Sequence, residues 1–247
     1  MATVQTMKTP LRILIGYDSR ERAAYDVCVQ SLLDHASVPL AIEPLDERRL
    51  RHAGLYRREW TYEDGQYYDT RDRKPFSTWF SFTRFLTPSI CQWRGVALFC
   101  DCDFLWRSDV AELFALHDPS FAVQVVKHDH NPSETVKMDG RAQTKYLRKN
   151  WSSMMLVHAG HPSNLMLTPH RVNMERGQYL HALAWLEPHE VGALPVGWNY
   201  LIGTNTSKDD PNPAAVHFTL GDPTMPGREN DEYAREWISV AKRVGAI

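Results

Sequence analysis

The stretch of sequence from Val96 to Asp103 reads VALFCDCD, an apolar run of the β-strand type that ends in two aspartates separated by one residue. Side chains two positions apart in an extended chain point to the same face, so Asp101 and Asp103 can both present carboxylates at the mouth of a sheet. Such oxygens hold divalent cations. The apolar run favours a buried central strand of a parallel sheet, and ligands bind outside the carboxyl ends of such strands. The stretch predicts an enzyme that handles phosphates.

The composition narrows the class of protein. A chain of 247 residues, 43% of them hydrophobic, is long enough to bury a sizeable core. A formal net charge of -2 and the absence of a long block of like charges argue against a nucleic-acid partner. No apolar stretch reaches the roughly 20 residues that span a bilayer. Residues 1–8 lack the apolar core of a signal peptide, so we expect a soluble, cytoplasmic protein without a transmembrane segment.

The four cysteines are interpreted as small core residues. Their spacing does not suit a disulfide framework, nor a zinc site, which usually places two residues between paired thiols. They are Cys28, Cys91, Cys100 and Cys102.

The sequence before these aspartates has the alternation of strands and helices that is typical of an α/β fold. The run from Leu11 to Gly16 predicts a first strand, apolar residues at helical spacing up to Leu32 predict the helix that follows, and Leu40 to Leu45 predict the second strand. We therefore expect an α/β fold with a mostly parallel central sheet flanked by helices. A single domain over residues 11–247, after a short tail over residues 1–10, is the simplest arrangement.

Two segments between the second strand and Val96 carry arginines. Residues 46–75 interleave arginine with aromatic residues and are interpreted as a solvated insertion, with a helical excursion or a functional loop as alternatives. Residues 76–86 predict a helix stopped by Pro88. That helix is apolar on most sides and therefore buried, so Arg84 within it needs an anionic partner.

A short β-type run near the end of the sequence, residues 214–220, contains His217. Two carboxylates from Asp101 and Asp103 with one imidazole leave open positions on an octahedral Mn²⁺ or Mg²⁺. Those positions suit the oxygens of a diphosphate. By contrast, His128 and His130 are interpreted as solvated side chains in a turn and are left out of the site.

The ordered set of motifs resembles glycosyltransferases of the GT-A fold, in particular the glycogenin-like and bacterial galactosyltransferase-like retaining enzymes (family 8 type). The layout is similar over about residues 11–225, and the chain resembles a divergent branch. The motifs are Leu14 to Asp18, Ser77 to Arg84, Phe99 to Asp103, Leu194 to Asn199 and His217 to Gly221.

The resemblance implies a transferase that moves a sugar from a nucleotide diphosphate sugar, a UDP-sugar, to an acceptor with retention. It implies that Asp101, Asp103 and His217 bind Mn²⁺ or Mg²⁺. The donor contacts that it implies are Tyr17, Asp18, Arg84, Asp101, Cys102 and Gly221, with Tyr17 and Asp18 at the uracil and ribose. The implied catalytic residues are Asp103, Arg84 and Lys137, and the implied substrate residues are Trp198, Asn199 and Gln178.

Several assignments keep an alternative. Arg84 faces the sugar or diphosphate, or forms a structural ion pair. Trp198 lines the acceptor side, where it stacks on a sugar, or packs in the core. The segment from Lys137 to Lys149 closes over the donor or is a solvated loop. The lysine that follows the histidine in the family is absent, and Lys137, Arg84 or Arg228 are the candidates for its charge.

Two other functions remain open at this point. A haloacid dehalogenase-type phosphatase would use Asp101 as its nucleophile, although that superfamily places its Asp-x-Asp near the start of the chain. A non-catalytic protein would bind the nucleotide sugar without turnover. The sequence does not identify the donor sugar, the sugar, lipid or protein acceptor, or the oligomeric state.

Overall fold

The computed structural model describes residues 9–128, 148 and 150–247. The strands are, in chain order, β1 (Leu11–Tyr17), β2 (Leu40–Asp46), β3 (Trp60–Glu63), β4 (Gln66–Asp69), β5 (Pro75–Phe76), β6 (Val96–Cys100), β7 (Phe104–Trp106), β8 (Val123–Val125), β9 (Met154–His158), β10 (Val191–Ala193), β11 (Tyr200–Leu201) and β12 (Ala215–His217). The α-helices are α1 (Arg22–His35), α2 (Glu47–His52), α3 (Thr87–Ile90), α4 (Val110–Ala115), α5 (Pro169–Met174), α6 (Gly177–His181) and α7 (Ala234–Arg243). Short 3-10 helices span Ser19–Glu21, Thr83–Leu86, Trp151–Ser153, Pro162–Met166, Pro188–Glu190 and Val196–Trp198.

The central sheet has the strand order β10-β8-β9-β6-β1-β2. Strand β9 is antiparallel to both of its neighbours, and every other adjacent pair is parallel. The mostly parallel sheet predicted from the sequence is therefore confirmed. Residues 13–15 of β1 and 97–100 of β6 are completely buried, as expected of central strands whose two faces are both covered.

A second sheet, of order β11-β12-β7, contains β7, the strand that directly follows β6 in the sequence. In it β12 runs antiparallel to β7, with His217 opposite Phe104. A second apolar cluster, which includes Val216, Phe218 and Trp237, packs around this sheet and α7. The short sheet thus ties the late part of the chain to the segment that follows β6.

The segment over residues 46–75 differs from the predicted solvated insertion. It begins with α2 and continues into an antiparallel sheet of order β3-β4-β5. All residues of β3 are exposed, but Arg58 and Asp69 are only 1% exposed and form an ion pair of 2.7 Å between Nη2 and Oδ2. The prediction was wrong in treating the arginines of this segment as one solvated set, because a guanidinium is buried readily when a carboxylate pairs with it.

The predicted helix over residues 76–86 is also wrong in form. The structure has a 3-10 turn over Thr83–Leu86 that leads into α3, and Pro88 lies in the first turn of α3 rather than ending a helix. Proline is accepted there because its missing N–H would have no intrahelical partner. The predicted burial is confirmed, since Phe85 is 1% and Arg84 6% exposed.

The four cysteines are free and buried, which confirms their interpretation as core residues. Within the described ranges, the helices are all too short or too polar to cross a membrane.

Candidate metal centre

The centre lies at the carboxyl end of β6, where Asp101 and Asp103 follow the strand. The antiparallel pairing of β12 with β7 continues one residue further, because the Phe218 amide donates to the carbonyl of Asp103 over 3.0 Å. This register carries His217 to the two aspartates. Ligand atoms of Asp101, Asp103 and His217 all lie within 4.8 Å of one another. The structure therefore confirms the predicted convergence of the three side chains.

Three contacts fix the position of the His217 imidazole. Its Nε2 lies 3.0 Å from Oδ1 of Asp103, and its Nδ1 lies 2.9 Å from Oδ1 of Asn199. The imidazole stacks on the Phe104 ring at 4.3 Å between centroids and 20° between planes. The side chain is only 4% exposed, whereas that of Asp103 is 26% exposed, so the centre opens toward solvent beside Asp103.

Arg84 has the anionic partner that its burial requires. Its Nη1 lies 3.0 Å from Oδ1 of Asp101 and donates to the carbonyl of Ser152 over 2.8 Å. The pKa of Asp101 is raised to about 6, chiefly by burial and also by the neighbouring Asp103 carboxylate, against the lowering effect of Arg84 and His217. A structural ion pair is thus present, and it adjoins the same carboxylate that the sequence assigns to the metal and the donor.

A further carboxyl group, that of Glu21, was missed by the sequence reasoning. Burial, followed by the charge of Asp103, raises the pKa of Glu21 to about 7, and the Cys102 thiol donates to its Oε2 over 3.3 Å. The position of Glu21 in the sequence could have indicated this. Glu21 lies in the connection that leaves the carboxyl end of β1, and β1 is the parallel neighbour of β6, so both strands end at the same edge of the sheet. Buried like charges close together favour a bound cation.

Asp18 occupies this edge of the sheet and is held there by hydrogen bonds within the protein. The residue is completely buried, and its carboxylate accepts hydrogen bonds from Arg20 Nε at 3.0 Å and from the Trp79 amide at 3.2 Å. Its contact with the ribose stays a prediction. Tyr17 remains partly exposed, with its ring edge against Tyr25 at 5.0 Å, and its place at the uracil stays a prediction.

Cys102 and Asn199 are both completely buried beside the centre. Their predicted contacts with the donor and the acceptor stay predictions. The Cys102 thiol contacts Glu21, and the Asn199 amide contacts His217. The alternation along the chain explains Cys102, since the residue between two aspartates on one face points to the other face.

The remaining substrate residues of the prediction do not gather into one group. Trp198 is 7% exposed, with its ring 6.3 Å from that of Trp106, which favours the core-packing alternative. Gln178 lies on α6 with an exposed side chain. Gly221 follows β12 with a φ of 118°, a conformation that side chains strongly disfavour.

The side chains proposed to supply the charge of the missing lysine lie in different parts of the chain. Lys137, and the segment to Lys149 apart from Arg148, lie outside the described residues. Arg228 forms an ion pair with Asp231 at 3.3 Å. Arg84 contacts the aspartate pair directly, through its ion pair with Asp101.

His128 was wrongly set aside as solvated. It is half-buried just beyond β8, and its carbonyl accepts a hydrogen bond from Trp151 Nε1 over 3.1 Å. The pKa of His128 is lowered to about 4, chiefly by burial and also by the proximity of His217. A neutral imidazole therefore adjoins the centre. His130 lies outside the described residues.

Comparisons with known proteins identify a relative by sequence and neighbours by structure. No family model matches the chain. Protein CDI from Arabidopsis thaliana is 45% identical over 235 residues, which cover 94% of this chain and 86% of that protein.

Solved glycosyltransferases share the fold. The bifunctional glycosyltransferase WbbM superposes with a TM-score of 0.66 at 13% identity, covering 98% of this chain, although the chain spans only 52% of WbbM. The galactosyltransferase LgtC, solved in complex with donor and acceptor sugar analogues, superposes with a TM-score of 0.56 at 11% identity, covering 94% of this chain and 96% of LgtC. The chain therefore belongs to the family of Protein CDI, and its fold is the GT-A fold of glycosyltransferases.

Proposed function

We propose that this protein is a metal-dependent glycosyltransferase that transfers a sugar from a UDP-sugar to an acceptor with retention. The observation that carries the proposal is the convergence of Asp101, Asp103 and His217 at one edge of a GT-A sheet. Two carboxylates and an imidazole form a donor set that suits Mn²⁺ or Mg²⁺ and leaves positions for diphosphate oxygens. The solved LgtC complex with donor and acceptor sugar analogues, on the same fold, supports this substrate class.

In this proposal some residues of the centre bind the metal ion and others orient its ligands. Asp101, Asp103 and His217 hold the cation, which when bound supplies charge neutralisation to the departing diphosphate. Arg84 holds Asp101 in place through the 3.0 Å ion pair and adds positive charge beside it. The loop at Gly221, and Lys137 from the central segment, complete the donor side of the proposal. We also place the reaction in the cytoplasm, as the sequence predicts.

The two alternative functions, a phosphatase and a non-catalytic binding protein, differ in how well they fit the structure. The phosphatase reading, with Asp101 as nucleophile, gains no support from the fold, which is shared with glycosyltransferases. The side chain of Asp101 is moreover 14% exposed and paired with Arg84, which does not favour an attacking group. A non-catalytic nucleotide-sugar-binding protein would use the same centre and must be separated from an enzyme by experiment.

The test is hydrolysis or transfer from a panel of UDP- and GDP-sugars, measured as release of the nucleoside diphosphate with and without Mn²⁺. We expect Mn²⁺-dependent release with a UDP-sugar, and its loss in Asp103→Ala with no change in the folded state. A matched control is Asp26→Ala, which removes a partly exposed carboxylate paired with Arg22 on α1 and should leave turnover unchanged.

The result separates the possibilities cleanly. A protein that only binds shows thermal stabilisation by the UDP-sugar with Mn²⁺ but releases no diphosphate. Full activity of the purified Asp103→Ala variant would remove the metal centre from the mechanism.

A further inference from the structure

A buried amide beside the metal centre determines which nitrogen of His217 faces the aspartates. We infer that Asn199 is a positioning residue that keeps a hydrogen on Nδ1 of His217, so that Nε2 is the nitrogen that meets the cation. The inference rests on the proposed metal site and adds to it a residue that binds neither metal nor substrate. Asn199 is completely buried, and His217 is 3% exposed.

The orientation of the Asn199 amide follows from its other contacts. Ser153 Oγ lies 2.7 Å from the carbonyl oxygen of Asn150, which can only accept, so the serine hydroxyl donates its hydrogen there. The hydroxyl oxygen can then only accept from Asn199, whose Nδ2 lies 3.0 Å away. The same Nδ2 lies 3.4 Å from the Asn150 carbonyl. The amide nitrogen therefore faces Ser153, and Oδ1 faces His217.

The orientation of the amide decides the proton on the imidazole. Oδ1 of Asn199 lies 2.9 Å from Nδ1 of His217 and can only accept, so Nδ1 must carry the hydrogen. A neutral imidazole then has its lone pair on Nε2, which lies 3.0 Å from Oδ1 of Asp103. A lone pair facing a carboxylate oxygen is repelled unless a proton or a bound cation lies between or beside the two atoms, so this arrangement favours a cation at the centre. Stacking on Phe104 at 4.3 Å opposes rotation of the ring out of this arrangement.

The same network reaches a second ligand. The carbonyl of Ser153, whose hydroxyl anchors Asn199, accepts the hydrogen bond of the Asp101 amide over 2.8 Å. Ser153 is 4% exposed. One residue directly before β9 thus supports both the backbone of an aspartate ligand and, through Asn199, the histidine ligand. Such outer contacts fix the orientation and basicity of metal-bound histidine, and their loss typically lowers metal affinity about 10- to 100-fold.

The test compares variants of Asn199 by Mn²⁺ titration calorimetry on the full chain. Asn199→Leu removes the acceptor at similar volume, and we expect Mn²⁺ affinity to fall about 10- to 100-fold. Asn199→Asp keeps an oxygen toward Nδ1, and we expect it to retain most of the affinity. The matched control is Asn164→Leu. Asn164 is an equally buried asparagine whose amide binds the carbonyls of Ala122 and His158 and the Trp185 indole, not the centre.

A second measurement does not depend on metal or on turnover. In the metal-free protein labelled with ¹⁵N-histidine, long-range ¹H–¹⁵N correlation spectra should show a hydrogen on Nδ1 of His217, and Asn199→Leu should lose this preference. If Asn199→Leu does not fold, Ser153→Ala replaces it, since it removes the hydroxyl that orients the amide.

Each outcome decides the inference. An unprotonated Nδ1 in the wild-type spectrum, or Mn²⁺ affinity in Asn199→Leu equal to that in the control, overturns it. Failure of wild-type protein to bind Mn²⁺ overturns both the inference and the proposed function. Mn²⁺ binding that depends on Asn199 without any sugar transfer supports the inference and rejects the proposed activity.

Discussion

Arg84 and Asp101 form an ion pair in which Nη1 lies 3.0 Å from Oδ1, and their side chains are 7% and 14% exposed. Removing one partner of a buried pair leaves an uncompensated charge and typically costs about 3–5 kcal/mol. We expect Arg84→Met to lower the free energy of unfolding by about that amount in metal-free protein, measured by urea denaturation.

Mn²⁺ should recover part of this loss, because a bound cation also neutralises Asp101. A variant whose loss is the same with and without Mn²⁺ would contradict a shared carboxylate. Arg84→Lys is the control: it keeps the charge but not the planar fork, and it should lose less stability than Arg84→Met.

The stability of the metal-free protein should fall as the pH rises through the range in which its buried carboxyls ionise. The pKa values of Asp101 and Glu21 are raised by burial to about 6 and about 7, from ordinary values of 3.8 and 4.5. The native state therefore holds protons that the unfolded chain has already lost, and the stabilisation present below about pH 4 is lost as the pH passes the raised values.

Melting temperatures between about pH 5 and pH 8, recorded with a chelator and with Mn²⁺, measure this effect. We expect a decline with chelator and a shallower decline with Mn²⁺, because cation binding favours the ionised forms. Glu21→Gln should reduce the decline in the chelator series. An unchanged slope in that variant would show that Glu21 does not titrate in this range.

Arg58 joins the β3–β5 sheet to α5. Its Nε and Nη2 bind the two carboxylate oxygens of Asp69 at 2.8 and 2.7 Å, and its Nη1 donates to the carbonyls of Val172 and Glu175 at 2.9 and 2.6 Å. Because the pair is only 1% exposed, Arg58→Met should lower the free energy of unfolding by about 3–5 kcal/mol.

The control for Arg58 is a more exposed pair with a similar distance between its charged atoms. Arg12 and Glu43 lie 3.0 Å apart with side chains 33% and 48% exposed, so Arg12→Met should cost at most about 1 kcal/mol. Urea denaturation of both variants checks the contrast. Similar losses in the two would argue against burial as the cause.

Gly221 occupies a backbone conformation that a side chain strains. Its φ is 118°, and a Cβ built there would lie 2.4 Å from Sδ of Met225. We expect Gly221→Ala to destabilise the protein by about 1–3 kcal/mol. It should also weaken Mn²⁺ binding, because the strained residue shortly follows His217.

Gly227→Ala serves as the comparison, since Gly227 also has a positive φ, of 83°, but nothing within 4 Å of its Cβ position. It should lose stability without losing Mn²⁺ affinity. Thermal unfolding measures the loss of stability in both variants, and calorimetry measures their Mn²⁺ affinity. Equal Mn²⁺ affinities in Gly221→Ala and Gly227→Ala would show that the Gly221 loop does not support the metal centre.

Local patterns predicted the elements that depend on local properties. The central strand was expected over residues 96–100 and is observed as Val96–Cys100, because a strand covered on both faces must be apolar along its whole length. The helix expected before Pro88 is absent, since its apolar residues are buried equally well in irregular turns. Periodicity alone does not separate a short buried helix from buried turns.

The sequence by itself determined that Asp101 and Asp103 share one face after a buried strand, because alternation is a property of adjacent residues in an extended chain. Only the tertiary structure decided that His217 meets them, that Glu21 lies near Asp103 and His128 near His217, and that Asn199 is buried with its amide against His217. These relationships depend on the register between β7 and β12 and on hydrogen bonds between distant segments. Such pairings are selected by the packing of the whole domain, which no local pattern encodes.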